Sequence, residues 1–448
     1  MPFWKREQIK PAQIILLGFF FLILTGTALL MLPFATVAPG GASLGDALFT
    51  ATSATCVTGL VIHDTALYWT PFGQTVILLL IQVGGMGVVT MAVAVATFTG
   101  QKIGLKQRWI MQESIAAPQV GGIVRQTRFI LRTALCIEAA GALLLAFRFC
   151  PQFGLGRGLW YAVFHAVSAF CNAGFDLMGT SRPFSSLTQY TGDPLVNGAV
   201  TLLILMGGIG FLTWHDVAEH KFHWKRYRLQ TKLILGTTAA LLAAGFLFFL
   251  LYEFRLPQWR GLSMGERVQA AWFQSVTPRT AGFNTVDLTA LSQPGQLLTI
   301  LLMLVGGSPG STAGGFKTTS LAVLLLGVRA IFHRRDCPQC FGRRVPDEAL
   351  RNACAIFMLY LLLFLAGGFF ISCIDGVPIL SALFECASAI GTVGLSLGIT
   401  AELSHMSRLI LIGLMYFGRV GGLTLIYAVT ASEVPKGFQF PQERVTVG

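Results

Sequence analysis

The chain has 448 residues, of which 54% are hydrophobic and only 12% charged, and its mean hydropathy is +0.67. A soluble protein would carry about a quarter charged residues, so soluble enzymes, disordered regulators and secreted disulfide scaffolds are excluded. The net charge of +12, from 32 Lys and Arg against 20 Asp and Glu, clusters between apolar stretches, which marks membrane topology and not nucleic-acid binding.

Taken in order, Lys5, Arg6 and Lys10 precede an apolar run from Ile14 to Leu32. That run exceeds a signal-peptide core of about 7–15 residues and can span a bilayer. Eight such spans are expected, at 12–34, 71–98, 129–149, 194–214, 231–252, 295–328, 352–374 and 407–430. Alternate connections hold a semi-apolar stretch too short to cross alone: Ser43–Cys56, Arg157–Cys171, Met264–Thr277 and Pro378–Gly391. Stretches of that length at membrane depth are re-entrant or interfacial.

The four short stretches align on a glycine. Gly59, Gly174, Gly282 and Gly394 each follow an aromatic by ten residues, namely Phe49, Phe164, Trp272 and Phe384. Ser53, Ser168, Val276 and Ser388 stand six residues before them. The glycines are 115, 108 and 112 residues apart. The second long span of each unit carries its own motif: Gly84-Gly85-Met86-Gly87, Gly207-Gly208-Ile209-Gly210, Gly306-Gly307-Ser308-Pro309 and Gly418-Arg419-Val420-Gly421. A lone Gly-Gly pair in a span usually serves helix packing; recurrence in register suggests more. The expectation is an all-α integral membrane protein. Four tandem helix–pore loop–helix units, with eight transmembrane helices, surround a pseudo-fourfold central pore. The divisions are 1–100, 101–220, 221–335 and 336–448, the last including a C-terminal tail.

Of the 32 basic residues, 20 lie at the N-terminus and in 99–132, 219–232 and 329–351, on the side where units join. The positive-inside rule makes that side and both termini cytoplasmic. Irregular backbone is tolerated at membrane depth only where it lines a wet path. Glycine permits a positive φ that turns carbonyls toward an axis, where they replace an ion's hydration shell. No carboxylate ring sits in these loops, and Thr58-Gly59, Ala173-Gly174, Ala281-Gly282 and Val393-Gly394 are neutral, which fits a weakly held monovalent cation.

Residues 306–315, with five glycines and a proline, cannot continue a helix at about 1 kcal/mol per Gly and 3 per Pro. The third unit's second span therefore breaks, with Lys317 directly after the break. Gly306-x-Ser308-x-Gly310 imitates a nucleophile elbow and Gly310–Lys317 a phosphate loop, but neither has its strand context or spacing. Arg419 lies mid-span, where a charge is a functional candidate. Glu138 and His165 are expected to be satisfied packing partners. The nine cysteines form no disulfide framework, and Cys337/Cys340 is half of a zinc motif at most.

Thr55–Gly59, Asn172–Phe175, Thr277–Phe283, Thr392–Leu395 and the Gly306–Gly315 loop together resemble the Trk/Ktr/HKT superfamily of potassium transporters, closest to a bacterial Ktr-type membrane subunit. The resemblance implies a K⁺ filter at Cys56, Val57, Thr58, Gly59, Cys171, Asn172, Ala173, Gly174, Arg279, Thr280, Ala281, Gly282, Gly391, Thr392, Val393 and Gly394. The ion would sit at the four glycines. It implies gating by Gly306, Gly307, Ser308, Pro309, Gly310, Ser311, Thr312, Ala313, Gly314, Gly315, Lys317 and Arg419. It further implies K⁺ uptake across the bacterial inner membrane, with no enzymatic chemistry and no bound cofactor. The partners implied are lipid, a second copy of the chain and a cytosolic nucleotide-binding ring of the KtrA/TrkA kind; nucleic acid is not among them. A Na⁺-permeable or Na⁺-coupled relative and an alternating-access transporter are the competing readings.

Overall fold

The computed structural model describes residues 11–422 except 89, 92–108, 111, 113–121, 181 and 222. Most of the basic loop 99–132, the basic N-terminus, the ends of spans 71–98 and 407–430 and the C-terminal tail lie outside the described residues. Those described form an all-α protein with one two-residue hairpin, Gln339–Cys340 against Arg343–Arg344.

The first unit comprises α1 (Pro11–Leu30), the short α2 (Leu44–Thr55) and α3 (Pro71–Met86). The second comprises α4 (Ile123–Phe153), short α5 (Leu155–Phe170), α6 (Pro194–Ile209) and α7 (Phe211–His220). The third has α8 (Leu229–Leu251), short α9 (Met264–Val276), α10 (Gln293–Leu304) and α11 (Thr318–Phe332). The fourth has α12 (Asp347–Asp375), short α13 (Ile379–Gly391) and α14 (His405–Val420). The four short helices therefore begin and end within about two residues of the stretches read from hydropathy.

Local chemistry sets the helix starts. Thr70, Asp193, Ser292 and Ser404 cap α3, α6, α10 and α14 with a side-chain oxygen. Pro71, Pro194 and Pro294 sit in the first turn of three of them, where a missing N–H costs nothing. Ser263 and Glu266 form a reciprocal capping box at α9.

Of the eight spans expected, the sixth of them broken, only some are single long helices among the described residues. Among the described residues four helices are long and apolar enough to cross, near α1, α4, α8 and α12. The α6–α7 pair counts as a fifth only if its 96° bend is included. The second helix of every unit stops at the glycine motif. Gly87, Gly210 and Gly421 hold φ of 87°, 99° and 89° there, which an L residue in a helix cannot adopt. The 16 residues of α3 rise about 24 Å, short of a hydrocarbon core of about 30 Å. The break expected only in the third unit thus occurs in all four.

Packing closes a ring. Each long first helix lies on the short helix of its own unit: α1 on α2, α4 on α5, α8 on α9 and α12 on α13. Each second helix also packs on the short helix of the next unit: α3 on α5, α6 on α9 and α10 on α13. Finally α14 returns to α2. Only 28–33% of the apolar windows in the four long helices is buried, so their remaining faces, including Phe21, Phe147 and Leu362, suit lipid.

The first glycine of three motifs makes this contact possible. A Cβ on Gly84, Gly207 or Gly418 would strike the carbonyl oxygen of Thr55, Phe170 or Ile390, at the C-terminal end of the short helix in the same unit. Gly198, on α6, has open space instead. Gly84→Ala should therefore lower the melting temperature of detergent-solubilised protein, by about 1–3 kcal/mol in stability, whereas Gly198→Ala should leave it unchanged or higher. Equal melting of the two variants would refute the packing role.

Candidate functional site

Each short helix ends in an irregular segment that passes the aligned glycine. Two positions in every segment have positive φ. They are Val57 and Gly59 (57° and 92°), Asn172 and Gly174 (60° and 69°), Thr280 and Gly282 (66° and 77°), and Thr392 and Gly394 (51° and 95°). The residue between them does not. A backbone alternating in hand turns successive carbonyls to one side, whereas an extended strand alternates them.

The four segments face one another in cyclic order. A Cβ built on Gly174 would lie 2.9 Å from the Ala281 carbonyl oxygen, and one on Gly282 2.5 Å from that of Val393. One on Gly59 would strike the Ala173 oxygen, and one on Gly394 the Thr58 oxygen. Each glycine therefore abuts the carbonyl preceding the glycine of the next unit, and the fourth unit closes on the first. No side chain fits in the ring, and its lining is peptide oxygen.

Hydroxyls brace the ring. Ser53 and Ser388 accept from the Gly59 and Gly394 amides at 3.1 and 3.0 Å. Ser168 donates to Phe175 O at 2.7 Å, and Thr277 donates to Phe283 O at 2.5 Å. The third unit is thus one residue shorter between helix and glycine. The Ala281 amide bonds to Thr277 O, whereas Thr58, Ala173 and Val393 bond to Ser53, Ser168 and Ser388 O. The aromatic equivalent to Phe49, Phe164 and Phe384 is consequently Phe273, fully buried, and not Trp272, which is 39% exposed. Alignment on the glycine alone misplaces both Trp272 and Val276.

A cavity of about 560 Å³ opens on one side of the ring, lined by all four glycines together with Asp64, Asp176, Arg182 and Asp287. These charged residues were not singled out from sequence. Nor was the buried carboxylate of Glu385, which accepts from Ser396 Oγ, Leu397 N and Thr400 Oγ1 at 2.7, 3.0 and 2.6 Å and pins the segment leaving Gly394. His165 does the same in the second unit, accepting from the Leu177 amide at 3.3 Å. A polar residue nine before the glycine, beside the buried aromatic, was the available signal.

A second cavity, about 360 Å³, is lined by residues of the first, third and fourth glycine motifs and by Phe211, which follows the second. Residues 306–315 cross between it and the ring. The loop rests on the second unit through Ser308 N to Gly208 O (3.0 Å), Thr312 N to Gly207 O (3.2 Å) and Phe211 N to Gly310 O (2.7 Å). It reaches the fourth unit through Gly315 N to Gly418 O at 3.1 Å. Arg419 donates to Thr312 O, to Gly84 O at 2.5 Å and to Gly85 O at 2.9 Å. It therefore ties the loop to the first unit. Lys317 Nζ caps Ala313 O and Gly314 O at 2.8 and 3.2 Å. Among the described residues neither cation has a carboxylate within ion-pair distance.

Some expected filter side chains point elsewhere. Cys56 and Cys171 are the C-caps of α2 and α5 and are fully buried. The Cys171 thiol faces Gln82 Oε1 at 3.7 Å and Glu138 Oε1 at 3.9 Å. Glu138 is held by Gln82 Nε2 at 3.1 Å, a satisfied packing partner. The Arg279 guanidinium turns away from the ring and donates to Gly306 O at 3.3 Å, at the foot of the loop. Ser308 and Ser311 bond within the loop or to Thr318, not to Arg419. The described residues contain no group of three or more metal-binding side chains.

Four helix–loop–helix units around a carbonyl-lined ring define a multi-pass membrane protein of the pore-loop class. The sequence matches the family described as TrkH, cation transport protein, over residues 22–440, and the chain belongs to it. It is 39% identical to the Ktr system potassium uptake protein B of Bacillus subtilis, over 99% of this chain and 98% of that one. It is 38% identical, at the same coverage, to the potassium/sodium uptake protein NtpJ of Enterococcus hirae. The crystal structure of the potassium transporter TrkH from Vibrio parahaemolyticus shares its fold, with a TM-score of 0.73 at 22% identity, covering 96% of this chain and 86% of that one.

The one-residue offset is testable by side-chain truncation. Phe273→Ala should destabilise the protein by about 3–5 kcal/mol, as loss of a buried aromatic does, while Trp272→Ala costs much less. The opposite order in thermal unfolding would restore Trp272 to the buried register.

Proposed function

We propose that the chain is the ion-conducting subunit of a bacterial potassium uptake system, carrying K⁺ through the glycine ring and gated by residues 306–315. One observation carries this reading: four backbone segments alternate in hand and close cyclically, so that only carbonyl oxygens meet the axis. Oxygen dipoles replace a monovalent cation's water without the charge that would trap a divalent ion. The C-terminal ends of the four short helices add partial negative charge. Transport in this reading involves no enzymatic step and no resident cofactor.

In this reading the acid-lined cavity faces outside, and the unit junctions and both termini face the cytoplasm. Two copies of the chain assemble as a homodimer. A separate nucleotide-binding ring of the KtrA kind acts on the cytoplasmic face; relatives named as parts of a Ktr system support such a partner. The divisions 1–100, 101–220, 221–335 and 336–448 then each supply one quadrant. The name of the Enterococcus hirae relative keeps Na⁺ as a second permeant ion.

Flux into liposomes holding the purified chain, with K⁺ or Na⁺ as the only cation, tests the proposal directly. Gly174→Ser and Gly282→Ser should each reduce K⁺ over Na⁺ discrimination at least several-fold, because a Cβ at positive φ displaces the facing carbonyl. Unchanged permeability ratios in both variants would remove these glycines from the filter.

The gate gives a separate expectation. A guanidinium below the ring repels a permeating cation, and its hydrogen bonds to carbonyls are of the charged kind, about 1.5–3 kcal/mol each. Arg419→Ala should therefore raise K⁺ flux by about tenfold or more, with the K⁺/Na⁺ ratio nearly unaltered. Lower flux in correctly inserted protein would make the arginine a structural brace and not a barrier.

A further inference from the structure

Resting on that reading, we infer that Asn172 and Thr312 form a latch coupling the filter to the gating loop, so that displacing the loop loosens the filter itself. Asn172 is the second-unit residue two before the filter glycine. Its φ of 60° is one that asparagine tolerates better than most side chains. Its carboxamide is fully buried and points into the layer of the loop.

The carboxamide has three partners in two different structures. Nδ2 donates to Arg279 O at 3.3 Å and to Thr280 Oγ1 at 3.2 Å, both in the third filter segment. Oδ1 accepts from Thr312 Oγ1 at 3.2 Å, in the gating loop. Arg279 O can only accept, so the nitrogen must face it and the oxygen must face the loop. The Thr312 hydroxyl proton is shared with Phe170 O, the last residue of the second pore helix, at 3.1 Å.

The surrounding backbone is shaped around this pair. A Cβ on Gly207 would lie 2.6 Å from Asn172 Oδ1 and 2.8 Å from Thr312 Oγ1. The same loop residue offers its own carbonyl to Arg419 and its amide to Gly207 O. The units do not share this device. The positions equivalent to Asn172 are Val57, Thr280 and Thr392, and Thr392 Oγ1 has no hydrogen-bond partner. Of these four equivalent positions, only Asn172 reaches the loop by a hydrogen bond among the described residues; the other side-chain tie from a filter segment to the loop is Arg279 to Gly306 O at 3.3 Å.

Withdrawing Thr312 removes the only donor to Asn172 Oδ1 among the described residues. A buried amide oxygen left without a donor is unfavourable. The carboxamide must then reorient, and the tie between the second and third filter segments weakens. Loop position and ion preference are linked, and by reciprocity an ion that orders the filter favours the latched loop.

The test uses the full chain and two readouts. One is K⁺ and Na⁺ flux in liposomes. The other is the K⁺ concentration giving half-maximal thermal stabilisation in detergent, with Na⁺ as control. Thr312→Val removes the hydroxyl at constant shape. It should raise resting K⁺ flux and also raise the K⁺ midpoint, each about two- to tenfold, the scale of one hydrogen bond. Thr312→Ser should restore both. Asn172→Gly keeps the left-handed backbone, and adding Thr312→Val to it should change the midpoint no further. A Thr312→Val midpoint equal to wild type, or log effects that simply add in the double variant, would overturn the latch. If the wild type gives neither K⁺ flux nor K⁺-specific stabilisation, the uptake reading itself fails and the latch falls with it.

Discussion

A peptide group at membrane depth must find a partner, because each one left bare costs several kcal/mol. Everything distinctive in this protein follows from leaving the carbonyls of four segments unpaired on one side. The structure manages it by surrounding them with regular helix, bracing their amides with Ser53 and Ser388, and donating to the departing chain from Ser168 and Thr277. In the proposed function, the carbonyls around the axis are left for an ion. Hydroxyl braces suit this work, since they satisfy backbone groups without adding charge.

The layer beneath follows the same rule with cations. Breaking the second helices at the glycine motifs frees further carbonyls, and Arg419 and Lys317 bind several of them. Glycines let the chains approach, the approach exposes oxygens, and the cations occupy them. A buried guanidinium satisfied only by carbonyls is less firmly held than one in an ion pair. In the proposed gating role, that suits a group whose partners move with the loop.

Much of this was legible in the sequence. Hydropathy placed the four short helices within about two residues, because a stretch too short to span is a sharp signal. The glycine period located the ring, and the Gly/Pro run located the loop. Other features were not legible for identifiable reasons. The breaks at Gly87 and Gly210 lie inside apolar sequence with no charge beside them, and hydropathy does not see φ. The third unit's shift was hidden because Trp272 and Phe273 are adjacent aromatics and either satisfies the pattern. The orientation of Asn172 depends on Arg279, Thr280 and Thr312 of the third unit, more than a hundred residues away, which no local reading contains. Cys56 and Cys171 fell inside filter segments by sequence, but their thiols pack behind the wall.

Because one polypeptide supplies all four quadrants, it escapes a restriction that binds a ring of identical subunits. There, any substitution near the axis is copied four times. A guanidinium would arrive as a quartet of mutually repelling charges, and a crossing loop would collide with three copies of itself. Here Arg419 occurs once, Gly85, Gly208 and Gly307 hold the matching places, and a single loop crosses beneath the ring. Tandem duplication thus allows a lopsided feature beneath an otherwise symmetric ring; in the proposed gating role, a single local displacement would unblock the whole channel.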